Sequence, residues 1–263
     1  MSDKPILFSP PMVRALLAGT KTQTRRAFKW QGPKDYPHSF AHAKVDNPAG
    51  VQRLLVPYYH PDDLPVGESD WGEDGYHRHY GRFEPGDRLW VKETHRITSW
   101  SDDGDVWVTY AADDAKSRSL SPDSEDFLER VCARVEKAGA ELNAEGWYEN
   151  IPPSALVRPS IFMPRWASRL TLTVTDVRVQ RLQDLSEEDA LAEGIQQTLA
   201  GHGRLHAFCA PEPFNERTWD TAREAYAELW RRINGPEAWR GNPWVAAYTF
   251  TVERRNIDAR AAA

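Results

Sequence analysis

The sequence predicts an α+β fold, a small mixed β-barrel with flanking helices and two insertions, carried by a single domain over residues 1–263. Three observations point there. An amphipathic helix comes early, strand-like runs are well separated along the chain, and helical runs fall between them without the regular alternation of a parallel sheet. A length of 263 residues permits one large domain with a sizeable core.

Ile6, Leu7 and Phe8 form a short apolar strand candidate. Ser9 then stands as an N-cap, Pro10 occupies the first turn, and Met12, Val13, Leu16 and Leu17 keep helical spacing until Gly19. Residues 21–26 mix long cations and hydroxyls directly after that glycine, which suits an extended segment leaving the helix and presenting charge. Residues 27–85 are rich in Pro, Gly, His and Asp with little periodicity and read as a long irregular insertion. Pro85-Gly86-Asp87 is a turn signal; residues 88–94 have strand composition, and 106–111 are the expected partner in a hairpin holding Trp90 and Trp107.

A second insertion covers about 112–160, and within it 124–140 predict a helix through Phe127, Leu128, Val131, Val135 and Ala138. Residues 168–182 are a strand pair or one long strand bent near Thr175-Asp176. Ser186 caps a helix running to Ile195, with Asp189 completing a capping-box variant. Residues 220–233 are amphipathic through Ala225, Tyr226, Leu229, Trp230 and Ile233, stop at Asn234-Gly235-Pro236, and leave 244–252 as a closing strand.

Lys plus Arg total 33 against 39 Asp plus Glu, a net charge of −6 that excludes a uniformly basic nucleic-acid coat. Hydrophobic content of 40%, a mean hydropathy of −0.66 and no apolar run approaching about 20 residues predict no membrane partner. The opening residues lack a secretory h-region and only Cys132 and Cys209 are present, so a cytoplasmic protein with free thiols is expected. His77 with His79, and His202, His206 with Cys209, fall short of four ligands; no metal and no cofactor is expected. Arg25, Arg26, Lys29 and Lys34, interleaved with Trp30 and Tyr36, are the one local basic cluster. It suits phosphate contact and base stacking, or is a solvated face. Among the 11 Trp, those at 90, 166, 230 and 244 are expected in the core, and Trp30, Trp71 and Trp147, in polar loops, are stacking candidates.

The run Leu16-Leu17-Ala18-Gly19-Thr20-Lys21-Thr22-Gln23-Thr24-Arg25-Arg26 resembles the opening signature of the ASCH domain family, within the PUA-like superfamily. Gly86-Asp87-Arg88-Leu89-Trp90-Val91-Lys92-Glu93, the stretch Leu185-Ser186-Glu187-Glu188-Asp189-Ala190 through Glu193-Gly194, and Asn242-Pro243-Trp244-Val245 through Phe250 resemble its later pieces, in the form seen in phage and prophage proteins. The resemblance implies a compact PUA-like barrel and a role with RNA or nucleosides. Small bacterial members are amidohydrolases that remove the acetyl group of N4-acetylcytidine with a Lys, a Thr and a Glu, which fall here on Lys21, Thr24 and Glu193. Oligomeric state does not follow from any of this.

Breaking an amide needs an activated nucleophile and a proton for the departing nitrogen. A lysine lowered by burial could draw a proton from the Thr24 hydroxyl or a water. Arg25 and Arg26 oppose protonation of Lys21 while Glu193 favours it, which leaves the sign of the shift open. Lys21 and Thr24 are three apart, so in a strand they point to opposite faces unless the backbone turns after Gly19. The expectation is a hydrolase on a modified nucleoside, with Arg25, Arg26, Lys29 and Trp30 binding it; the alternative is a non-catalytic RNA- or modified-base-binding module.

Overall fold

The computed structural model describes residues 2–29, 40, 43–47, 52–57, 76–101, 105–120, 124–198, 207–211 and 217–259. In chain order the elements are β1 (Asp3–Leu7), α1 (Pro10–Leu17), β2 (Gln23–Ala27), β3 (Lys44–Asp46), β4 (Arg53–Pro57), β5 (Tyr76–Tyr80) and β6 (Arg88–Lys92). There follow β7 (His95–Trp100), β8 (Asp105–Tyr110), β9 (Lys116–Leu120), α2 (Ser124–Lys137), β10 (Glu141–Leu142), β11 (Tyr148–Glu149), α3 (Pro153–Leu156) and β12 (Val157–Arg158). The last are β13 (Thr171–Arg181), α4 (Glu187–Ala192), β14 (Gln196–Thr198), β15 (Ala207–Cys209), α5 (Ala222–Asn234) and β16 (Trp244–Glu253). The fold is α+β. Every sheet among the described residues ends in two edge strands, and none closes on itself as a barrel. No helix among those residues is long and apolar enough to cross a membrane.

The chain divides into two compact units, one of Ala18–Asp87 and Thr173–Thr251, the other of Ser2–Leu17, Arg88–Leu172 and Val252–Ala263. In the first, β2 runs antiparallel to β16 with Thr24 opposite Tyr248 and Arg25 opposite Ala247, and β16 lies beside β13. The segment 27–85, read from the sequence as irregular, carries the antiparallel sheet β3-β4-β5. Leu54 and Val56 of β4 are fully buried with Val179, and Phe28, Phe40, Ala43 and Trp244 pack on them. A run of only three apolar residues between polar stretches supplies that core, too short for its period to register in sequence. Helix α5 starts at Thr221, whose hydroxyl accepts from Glu224 N, and ends where Gly235 takes φ +103, a left-handed conformation that glycine adopts without Cβ strain.

In the second unit β1 pairs in parallel with β6. The expected hairpin of 88–94 with 106–111 is corrected: β8 pairs with β7, and β9 with β8. The chain breaks out of β6 after Lys92 and resumes as β7, whose alternating burial places His95 and Ile97 inside. Ile97, Val106, Val108, Tyr110, Phe127, Val131, Met163 and Ala167 form the core, with Trp100 and Trp166 against it. Helix α2 falls where its apolar spacing predicts, within the second insertion. The stacking candidate Trp147 is 68% exposed, whereas Trp30 and Trp71 lie outside the described residues.

Candidate active site

The site belongs to the first unit. Gly19 takes φ +72, and the chain beyond it is laid against the end of α4. Thr22 N donates to Ala192 O at 2.8 Å, and Lys21 forms an isolated antiparallel bridge with Glu193. Phe250 N donates to Thr22 O at 2.9 Å, so β16 holds the other edge of the same residue. Two short backbone clamps thus fix where the Lys21 side chain begins.

Lys21 Nζ donates to Glu193 Oε2 at 2.7 Å and to the Glu193 carbonyl oxygen at 2.8 Å. That carbonyl belongs to the residue capping the C-terminal end of α4, where carbonyls lack intrahelical donors and a cation is favoured. Arg25 Nη1 donates to Glu193 Oε1 at 3.1 Å, and its Nη2 to Asp189 Oδ2 at 2.7 Å. Asp189 and Glu193 are four apart and share one side of the helix turn, which is why a single guanidinium reaches both. Gln23 Nε2 donates to Asp189 Oδ1 at 3.3 Å and to Thr249 Oγ1 at 3.2 Å, and Arg178 Nη2 donates to Asp189 Oδ1 at 2.6 Å. Tyr226 of α5 interacts with the Glu193 carboxylate; burial, and then that negative charge, push its phenol well above the ordinary range.

The cluster is dry, with the side chains of Lys21, Arg25 and Glu193 at 2%, 0% and 5% exposure. Burial lowers the Lys21 ammonium from its usual pKa, and Arg26 and Arg25 add to the shift against the attraction of Glu193. The sign that the sequence left open is therefore downward. Two donated hydrogen bonds are as many as a neutral amine can make, and deprotonation leaves a lone pair on the nitrogen. Burial opposes ionisation of Asp189, but Arg178 and Arg25 hold it below the usual carboxylate range.

Of the three residues singled out for catalysis, Lys21 and Glu193 meet. Thr24 is buried on β2, and no contact among the described residues joins its hydroxyl to either of the other two. Strand alternation turns Thr24 away from Gln23 and Arg25, toward its register partner Tyr248. The Tyr248 hydroxyl accepts from Arg82 N at 2.8 Å. Arg25, expected on a nucleic-acid-binding face, is instead internal, because Asp189 of α4 and Glu193 at its C-cap claim its terminal nitrogens. Arg26 and Lys29 are exposed; Trp30, Lys34 and Tyr36 lie outside the described residues, as do His202 and His206 of the weak ligand set.

Asp189, Arg178, Gln23 and Tyr226 were not singled out as site residues from the sequence. Ser186 Oγ does accept from Asp189 N at 3.1 Å, which is the cap the sequence predicts. The Asp189 carboxylate, however, serves Arg25 and Arg178 instead of closing a capping box. Its spacing of four from Glu193 on a capped helix was the available signal. Among known proteins, no family model, no curated sequence and no solved structure matches this chain.

Proposed function

We propose that this chain is a PUA-like hydrolase of the ASCH type that removes an acyl group from N4-acetylcytidine or a related amide on a modified nucleoside. The observation that supports this reading is the buried Lys21–Glu193 pair, with the lysine lowered toward neutrality by burial. Burial that lowers an amine's pKa raises its share of the neutral form, which is the form that accepts a proton. Lys21 Nζ takes a proton from the nucleophile, whose oxygen adds to the acyl carbon. On collapse the carbon–nitrogen bond breaks, and the ammonium returns its proton to the departing amine. The products are a carboxylic acid and the free amino nucleoside. The alternation of β2 favours a water over the Thr24 hydroxyl as that nucleophile. Glu193 accepts from Lys21 and Arg25 and interacts with Tyr226, which suits an orienting carboxylate and not a proton donor.

The test is incubation of the protein with N4-acetylcytidine, free and within RNA, followed by mass spectrometry for cytidine. The parent and Thr24→Val release cytidine; Lys21→Met, shown by circular dichroism to be folded, does not. Release by Lys21→Met, or none by the folded parent on either substrate, overturns the hydrolase. Loss of release in Thr24→Val alone would return the nucleophile to Thr24. The second reading, a binding module for RNA, draws on the exposure of Arg26 and Lys29. It requires salt-dependent RNA binding that weakens in Arg26→Ala and Lys29→Ala.

A further inference from the structure

The first unit contains a cleft of about 500 Å³ away from the charge cluster, within the roughly 300–1,000 Å³ usual for small-ligand sites. Its walls include Trp219 and Trp239, both half-buried, and its floor includes the buried Ala227 of α5. Arg223, Glu224 and Arg231 supply the polar groups. The Trp219 backbone and the Trp239 ring are held in place. Trp219 exchanges backbone hydrogen bonds with Phe208 at 3.0 and 2.9 Å, and Trp239 packs edge-on against Tyr226 with ring centroids 6.4 Å apart. Each arginine is anchored by one terminal nitrogen, Arg223 Nη2 to Gln183 O at 2.6 Å and Arg231 Nη1 to Glu228 Oε2 at 3.3 Å. Their other nitrogens remain as donors.

The start of α5 is not an anion site here. Glu187 already accepts from Ala222 N at 2.7 Å and Arg223 N at 3.4 Å, filling the position a phosphate would take. Two arginines are then matched by Glu187 and Glu224, so the lining carries no net charge. Such a cleft offers flat indole faces, guanidinium donors and the carboxylate acceptor of Glu224. A neutral, planar heterocycle with both donors and acceptors on its edge complements all three, which is the chemistry of a nucleobase.

We propose that this cleft binds the base of a nucleoside, stacked on Trp239 or Trp219 with its edge addressed by Glu224 and the arginines. The site stands independently of the hydrolase reading. Adenosine, which carries no acyl amide, tests it by isothermal titration calorimetry on the full chain, with ribose 5-phosphate run beside it. Adenosine is expected to bind and ribose 5-phosphate not to. Trp239→Leu and Glu224→Ala are each expected to weaken adenosine about tenfold or more, the first by removing a stacking partner and the second by removing a charged hydrogen-bond acceptor. Glu224 is exposed, so Glu224→Ala carries the test should Trp239→Leu unfold. No adenosine binding, binding unaltered in the folded variants, or equal binding of ribose 5-phosphate would overturn the proposal.

Discussion

Glu193→Gln keeps the size of the side chain and one acceptor oxygen while removing the charge that three neighbours address. In the folded chain that carboxylate accepts from Lys21 at 2.7 Å and Arg25 at 3.1 Å, with no more than 5% of any of the three side chains exposed. A hydrogen bond involving a charged group contributes about 1.5–3 kcal/mol. Degrading two of them therefore costs about 3–5 kcal/mol, the range seen when one member of a buried pair is removed. Lys21→Met should cost about 2–3 kcal/mol, less because Arg25 and Tyr226 still serve Glu193. The double variant should lose less than the sum, since the second change removes a group the first has already orphaned, with a coupling of about 1–3 kcal/mol. Urea unfolding followed by far-UV circular dichroism and by Trp fluorescence measures each free energy; both probes are needed because two compact units need not unfold together. Effects that add within about 0.5 kcal/mol, or a Glu193→Gln protein as stable as the parent, would show that the pair is neither buried nor coupled.

Because burial lowers Lys21 in the folded state, the unfolded chain holds an extra proton between the folded pKa and about 10.4, so stability rises with pH through that window. Comparing urea midpoints of the parent and Lys21→Met across alkaline pH, the parent should carry the steeper rise; equal slopes refute the shift. His95 in the second unit is buried, donates from Nδ1 to Glu93 O at 3.2 Å, and is lowered to about 4 by burial, with Arg158 and Lys92 contributing, against 6.5. The unfolded chain thus protonates first as pH falls from 6.5 toward 4, and about 3 kcal/mol of stability is lost in that window. His95→Gln should flatten this part of the profile, and an unchanged profile counts against it. Arg169 bonds both oxygens of Glu93 at 2.8 and 2.9 Å, reaches Asp113 and lies 4.0 Å over the Tyr110 ring. Lysine can reproduce neither the fork nor the stacking, so Arg169→Lys should cost about 2–4 kcal/mol by denaturation; a loss under about 0.5 kcal/mol would contradict that geometry.

Much of the local structure was legible because its signals sit within a few residues. The apolar spacing of α1 before Gly19, the stop of α5 at Gly235 and the long strands β13 and β16 all appear where pattern and punctuation predict them. The pairing was not legible. Residues 106–111 have strand composition in either arrangement, and only tertiary packing chooses β7 over β6 as the neighbour of β8. Strand β7 itself alternates His95, Ile97 and Ser99 with polar residues, so two apolar or aromatic positions carried too little contrast to mark it.

The same division explains the site. Lys21 and Glu193 are 172 residues apart, and only a resemblance in motif could name them together; the isolated bridge that joins them is a product of folding. Thr24 shows the opposite case. Its three-residue offset from Lys21 already implies opposite faces of an extended strand, and β2 follows that rule through 23–27 with Arg25 toward α4 and Thr24 opposite Tyr248. Arg25 was misread for an equally physical reason: a cation in a basic run is assigned to solvent by default. Two carboxylates four residues apart on a facing helix reverse that default, because together they replace the water a guanidinium would lose. The same carboxylates favour the charged form of Lys21 beside Arg25, and burial outweighs them, so a lysine in the middle of a basic run is both internal and shifted downward.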